Sequence, residues 1–162
     1  MGDNTLRQQI ANMRQSLFDE GIVDSFFVRL ERLQSPNNPY FIENIISKSC
    51  ASSTVNINNI EQHLNNDPVS FIEVERLIIK LMGSLSIVGV QKVKEKVNEM
   101  LINCRENNIE GCKATLEELK LEFGSVKEKL EPYVGVQMQE AVYLFFFFIL
   151  IEDVLILFCF FF

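Results

Sequence analysis

The chain has 162 residues, which is enough for one domain with a hydrophobic core and short for two. Residues that favour helices dominate, and there are only 7 glycines and 4 prolines, so an all-α fold is predicted. Lys and Arg number 15 against 22 Asp and Glu, giving a net charge of −7 that argues against nucleic acid as a partner.

The cysteine and histidine positions argue against several kinds of site. No C-x-x-C pair occurs, so neither a zinc site nor a disulfide framework is expected for the four cysteines, Cys50, Cys104, Cys112 and Cys159. Cys104 and Cys112 are near enough to face each other across a helical hairpin, but buried, reduced thiols are the expectation. The single histidine, His63, lies in a polar stretch without a nearby nucleophile, which argues against serine-histidine or cysteine-histidine catalysis.

Apolar residues repeat at helical spacing along the chain, and six helices are predicted in order. The first is short and carries the stripe Leu6, Ile10, Met13 and Leu17. A second short helix carries Phe26, Phe27, Leu30 and Leu33. Asn38-Pro39 and Asp67-Pro68 are cap-and-proline pairs that predict the starts of the third and fourth helices, and Asn108 is the predicted cap of the sixth.

The third to sixth helices each have an apolar stripe wide enough to enter a bundle core. In the fourth helix this stripe consists of Phe71, Val74, Leu77, Ile78, Leu81, Leu85 and Val88. Because the connections are short and polar, we predict an antiparallel up-down-up-down four-helix bundle, with the two short N-terminal helices against one end. This domain covers residues 1–140, and Pro132 with Gly135 is expected to kink or end the sixth helix.

The fourth helix also has a second, outward stripe of mixed character. At about 100° per residue, Ile79 points about 140° away from the core side, and it shares this direction with Ile72, Arg76, Gly83 and Ser86. A glycine inside a helix costs about 1 kcal/mol against alanine, so Gly83 and Gly89 need a reason. They either allow a partner to approach closely, or they allow two helices of the bundle to approach or mark a kink.

Residues 79–93, IKLMGSLSIVGVQKV, resemble the active-site helix of plant histidine-containing phosphotransfer proteins, whose pattern is H-Q-L-K-G-S-S-x-S-x-G-A-x-x-V. The likeness includes FDE at 18–20, NP at 38–39 and NNIEGC at 107–112, and it spans about residues 5–140. It implies a helical bundle that carries phosphoryl groups between receiver domains of sensor histidine kinases and response regulators, in plants chiefly in cytokinin signalling. It further implies a monomer without a cofactor, located in cytoplasm and nucleus.

Set against this pattern, the phospho-accepting histidine falls on Ile79 and the lysine three positions later falls on Met82. An alkyl side chain cannot accept a phosphoryl group, so the resemblance implies a pseudo-phosphotransfer protein that is not an enzyme and has no catalytic residue. Its inferred role is to bind receiver domains and inhibit phosphotransfer. The predicted receiver-docking residues are Ile72, Arg76, Ile79, Lys80, Met82, Gly83, Ser84 and Ser86.

The resemblance ends at residues 141–162, an apolar, phenylalanine-rich C-terminal tail. Such a tail is just long enough to span a bilayer, but Glu152 and Asp153 near its middle oppose insertion, and an aberrant gene product is the other explanation. The alternatives to an inhibitor are therefore a decayed, non-functional copy or a tail-anchored membrane protein. Phosphorylation of Ser84, Ser86 or His63 in place of the missing acceptor is a further alternative.

Overall fold

A computed structural model describes residues 2–35 and 37–161, with side chains for residues 5–35 and 37–143. These residues form six α-helices: α1 (Gly2–Asp19), α2 (Ser25–Glu31), α3 (Phe41–Leu64), α4 (Phe71–Val88), α5 (Gln91–Arg105) and α6 (Ile109–Phe161). Extended structure in the described part of the chain is limited to two isolated bridges, Val23 with Val90 and Ser35 with Asn38. The predicted all-α class is confirmed.

Helices α3 to α6 pack in a ring, in which each contacts the next and α6 returns to α3. The end of α5 meets the start of α4, where the thiol of Cys104 donates to the carbonyl oxygen of Phe71 at 3.4 Å. Between α6 and the end of α3, Lys120 Nζ lies 2.6 Å from Glu61 Oε1. This is the antiparallel four-helix bundle predicted from the sequence.

The core of the bundle contains two of the four cysteines. Cys104 and Cys112 are buried among apolar side chains, and both are free thiols. Burial raises the pKa of Cys112 to about 11, so its thiol stays protonated at neutral pH. Both residues therefore pack as small hydrophobic side chains, as the sequence predicts.

The two N-terminal helices pack differently from each other. α1 has 18 residues and is longer than the short helix predicted, because it lies along the second half of α6. Arg7 forms an ion pair of 3.0 Å with Glu140, and Glu20 pairs with Lys129, so α1 follows α6 over much of its length. α2 is short, as predicted, and contacts α4.

Two of the three predicted helix starts are wrong by a few residues. α3 begins at Phe41 rather than at Asn38-Pro39, because Asn38 is part of a turn. Its backbone N–H donates to the Ser35 carbonyl oxygen at 2.9 Å. The first-turn N–H of Ile42 donates instead to Gln34 Oε1 at 3.3 Å. α4 begins at Phe71 rather than at Asp67-Pro68, because residues 65–70 are used to cross from α3 to α4. The third start is confirmed: the side-chain Oδ1 of Asn108 accepts the N–H of Gly111 at 2.9 Å.

α6 does not end at Pro132, although a kink or an end was predicted there. Pro132 and Glu128 are both exposed, so the proline lies on the solvent side of the helix, where water can replace the intrahelical N–H donor that it lacks. The predictions on the tail concern residues 141–162, and of these the side chains of 144–162 lie outside the described residues. As far as the description extends, none of the helices has the combination of length and hydropathy needed to cross a bilayer.

The end of α4 is held by a cluster of contacts around Gly89. Gly89 is the buried C-cap of α4 with φ +74°, a left-handed conformation that disfavours other residues. Its carbonyl oxygen accepts the N–H of Asp24 at 2.9 Å, and a Cβ at this position would collide with the Asp24 carboxylate. That carboxylate also caps α2 through the N–H of Phe26 at 2.7 Å and pairs with Lys94 at 3.2 Å. Close approach within the bundle thus explains Gly89.

The substitution Gly89→Ala is expected to lower the free energy of unfolding by about 2–4 kcal/mol, because alanine meets both the strained φ and the Asp24 carboxylate. Gly83→Ala is the matched control. It should raise the free energy of unfolding by up to about 1 kcal/mol, because nothing lies within 4 Å of an added Cβ in the middle of α4. Urea titration of both variants measures this, and equal effects would contradict the assignment.

Candidate functional site

α4 has one face in the bundle core and the opposite face in solvent. Val74, Ile78 and Leu81 are fully buried between the neighbouring helices, whereas Ile72 is 81% exposed and Ile79 is 52% exposed. The step of about 100° per residue produces this division, since buried positions spaced by three and four leave the positions between them outside. The predicted outward orientation of Ile79 is confirmed.

We call the exposed stripe of α4 the α4 surface; it consists of Ile72, Arg76, Ile79, Gly83 and Ser86. Large apolar side chains exposed on a helix that also has a complete buried stripe are not needed for the core. Gly83 contributes a flat position, because no atom lies within 4 Å of a Cβ added there. The suggestion that Gly83 lets two helices of the bundle approach is therefore wrong, and its place is on the open face.

The only arginine of the α4 surface is already paired with an acid on the same helix. Nε and Nη2 of Arg76 both donate to Glu73 Oε2, at 2.9 and 2.6 Å. This pair lowers the pKa of Glu73, so its carboxylate stays ionised near neutral pH. The charge of Arg76 is therefore largely balanced within the helix. The spacing of three residues made this pair readable from the sequence, but Glu73 was not among the predicted site residues.

Lys80 and Met82 lie on opposite flanks of the α4 surface. Viewed down the helix axis, each residue is 100° or less from the middle of the exposed stripe, but the two side chains differ in burial. Lys80 is exposed, and within the described residues it forms no ion pair shorter than 4 Å. Met82 is half-buried and packs against the core cluster. Met82 thus belongs in part to the bundle interior, although it was predicted as a docking residue.

The two serines that were predicted together have different surroundings. The carbonyl oxygen of Ser84 accepts the hydroxyl of Ser49 at 2.6 Å, and its own hydroxyl lies 3.0 Å from that of Ser52. The Ser84 hydroxyl also donates to the Lys80 carbonyl at 3.2 Å. Ser84 therefore joins α3 to α4, whereas Ser86 is exposed. The sequence offered no signal for the partners Ser49 and Ser52, which depend on the register between two helices.

The single histidine lies away from the centre of the α4 surface. His63 is half-buried in the last turn of α3, on the side of Glu73 in the first turn of α4. Glu73 is six residues before Ile79, which corresponds to about 9 Å along the helix axis. The structure therefore does not bring His63 to the position that Ile79 occupies. The side chain of His63 is half-buried, although a polar stretch of sequence such as 62–66 is typical of exposed residues.

The α4 surface has binding features but no reactive group at its centre. Ile79 provides only hydrocarbon, and its neighbours along the stripe are a paired arginine and a glycine. Among the side chains that the structure describes, no cluster of three His, Cys, Asp or Glu is placed to hold a metal ion. What this arrangement provides is an exposed, partly apolar face on a rigid helix, which suits contact with another protein.

Comparison with known proteins identifies relatives over most of the chain. Pseudo histidine-containing phosphotransfer protein 2 of Oryza sativa subsp. japonica is 35% identical over 136 residues, which cover 84% of this chain and 90% of the relative. Histidine-containing phosphotransfer protein 1 of Arabidopsis thaliana is 31% identical over 133 residues, covering 82% and 86%. A crystal structure of a histidine-containing phosphotransfer protein from maize superposes with a TM-score of 0.78 at 28% identity, covering 83% of this chain and 98% of that one. No protein-family model matches the chain.

The exposure of Ile79 predicts that it contributes little to folding. Ile79→Ala should change the free energy of unfolding by less than about 0.5 kcal/mol. Ile78→Ala is the matched control at the adjacent, fully buried isoleucine, and it should cost about 2–5 kcal/mol because it leaves a cavity in the core. Denaturant unfolding of the two variants distinguishes these values. A loss of several kcal/mol for Ile79→Ala would show that Ile79 is a core residue.

Proposed function

The chain belongs to the plant histidine-containing phosphotransfer family, and from this membership we propose that it is a pseudo-phosphotransfer protein that inhibits a two-component phosphorelay. Its relatives include both phosphotransfer proteins and pseudo forms. The single observation that carries the proposal is an exposed isoleucine at position 79, where the family pattern has its phospho-accepting histidine. We extend the proposal to cytokinin signalling in cytoplasm and nucleus.

The chemistry of the family requires a nucleophile at the centre of the active-site helix. A ring nitrogen must attack the phosphorus of the receiver's aspartyl phosphate and hold the phosphoryl group as a phosphoramidate, while the aspartate leaves as a carboxylate. Ile79 has no lone pair with which to attack. The exposure of its side chain supports the proposal, because a residue at this position is accessible to a docked receiver. Transfer is therefore lost while access is kept.

The second departure from the family pattern removes a positive charge. A lysine at position 82 would stabilise the oxygens of the phosphoryl group during transfer, and Met82 has no charge. Met82 also packs partly against the core, so a small movement of the helix cannot put another side chain in its place. Lys80 lies on the other flank. Ile79 in place of histidine and Met82 in place of lysine both remove groups that act on the phosphoryl group, and neither residue disturbs the bundle.

The docking role rests on what the α4 surface retains. Ile72 and Ile79 expose apolar area, Gly83 leaves room for close approach, and Arg76 is held in place by Glu73. Interface centres are commonly apolar and depleted in free charges, so this face is suited to packing against a receiver domain. A chain that occupies receivers without exchanging phosphate reduces the flux through active family members in proportion to its concentration and affinity.

A phosphotransfer assay tests the proposal. An active family member labelled on its histidine is mixed with an unphosphorylated plant receiver domain, with and without the full-length chain. We expect no label on the chain and a reduced rate of transfer to the receiver domain, which falls further as more chain is added. Unchanged transfer at saturating chain would contradict inhibition, and stable label on the chain would contradict the loss of chemistry.

The double variant Ile79→His with Met82→Lys tests whether the surface itself is intact. It is expected to accept label, because it restores the nucleophile and the cation on a helix that already has the correct orientation. Leu121→His is the matched control, since Leu121 is 76% exposed on α6 and lies off the α4 surface. Label on the control as well would show unspecific phosphorylation of any exposed histidine, and no label on either would show that docking is lost.

A further inference from the structure

The α4 surface offers little net positive charge, so it is suited to contact an uncharged face of another protein. This suggests which phosphorylation state of a receiver it binds. We propose that the chain is selective for phosphorylation state: it binds receivers whose aspartate carries no phosphoryl group more tightly than phosphorylated ones. This inference rests on the proposed function, since it assumes that receivers dock on the α4 surface with their aspartate opposite Ile79.

The first reason is that the centre of the surface cannot solvate a phosphoryl group. Such a group carries about two negative charges and three acceptor oxygens. Docking against Ile79 would strip water from those oxygens and replace it with hydrocarbon, and Gly83 in the next turn has no side chain with which to donate. Removing water from a charged group without providing hydrogen bonds is unfavourable. A receiver without the phosphoryl group pays far less for the same contact.

The second reason is that the nearby cations are already engaged. Both donating nitrogens of Arg76 are directed to Glu73 Oε2 on the same helix. On the side toward α5, Arg105 Nε lies 2.8 Å from Glu75 Oε1. Each pair presents a carboxylate as well as a guanidinium, so neither flank offers a net positive charge to a phosphoryl group. Recruiting either arginine would expose a partner carboxylate without its cation.

The third reason is the position of the remaining cation. Lys80 is the lysine of α4, and within the described residues it forms no ion pair shorter than 4 Å. It lies on the flank of the helix where Ser84 contacts α3. The family pattern places its lysine on the opposite flank, at position 82, where this chain has a half-buried methionine. The charge that remains is thus displaced around the helix from the place where the family pattern puts it.

This selectivity would direct the inhibition to one step of the relay. Receivers that await a phosphoryl group are unphosphorylated, and these are the targets to which charged carriers deliver. Receivers that hold a phosphoryl group are the donors from which carriers are charged. The chain therefore competes with delivery more strongly than with charging, and phosphorylation of a bound receiver favours its release.

The test is a titration of the full-length chain with an isolated response-regulator receiver domain in two states. One sample contains Mg²⁺ alone, and the other contains Mg²⁺ with trifluoroberyllate, which mimics the aspartyl phosphate. We expect Kd to be at least about tenfold higher with trifluoroberyllate, equivalent to about 1.4 kcal/mol. Equal or tighter binding of the trifluoroberyllate form would overturn the inference and leave the docking proposal standing. Absence of binding in both states would overturn both.

Variants identify the residues responsible. Met82→Lys and Ile79→Lys should each reduce the ratio of the two Kd values at least about threefold, because they add a cation to the centre or to the family flank. Ile79→Lys is included because its position is exposed and cannot fail through the core, whereas Met82 packs partly inside. Leu121→Lys adds the same charge to α6 and should leave the ratio unchanged. An equal effect of all three would show general electrostatics rather than a local site and would overturn the inference.

Discussion

The packing of α4 between α3 and α5 is the constraint on which the site depends. Val74, Ile78 and Leu81 have no solvent exposure, and rotating the helix enough to bury Ile79 would bring them out of the core. The hydrogen bond of Ser49 to the Ser84 carbonyl fixes the register of α4 against α3, and the Gly89 cap fixes where the helix ends. The outward face is therefore determined largely by contacts inside the bundle.

Much of this arrangement is predictable from the spacing of residues within one segment, and the rest depends on contacts between distant segments. Helical spacing was sufficient for the number of helices, the bundle and the outward direction of Ile79, because each depends on a period within one segment. The starts of α3 and α4 were placed too early, since proline and cap signals are local whereas the first N–H of α3 is satisfied by Gln34 from another segment. Gly83 and Gly89 are alike in sequence, and only the structure shows that Gly89 has a left-handed backbone packed against Asp24 whereas Gly83 is open. The serine contacts between α3 and α4 likewise require the three-dimensional register.

The residues that form the core are different from the residues at the reactive positions, which explains how a family member can depart from the reactive pattern and keep the fold. Ile79 and Met82 differ from the family pattern, yet neither change requires a new backbone or a rearranged core, and the chain still superposes on a maize phosphotransfer protein with a TM-score of 0.78. Reactive groups placed on the solvent side of a helix are replaced at little cost in stability. The proposed function would let the family supply carriers and competitors from one scaffold.

The carboxylate of Asp24 connects parts of the chain that are far apart in sequence, since its partner Lys94 is 70 residues away. The same carboxylate caps α2, and the backbone N–H of Asp24 supports the turn from α4 to α5 by donating to the Gly89 carbonyl. A substitution at Asp24 would keep every residue of the α4 surface and remove the anchor of its C-terminal end. The stability of the helix that presents this surface is thus set in part by a residue that is not on it.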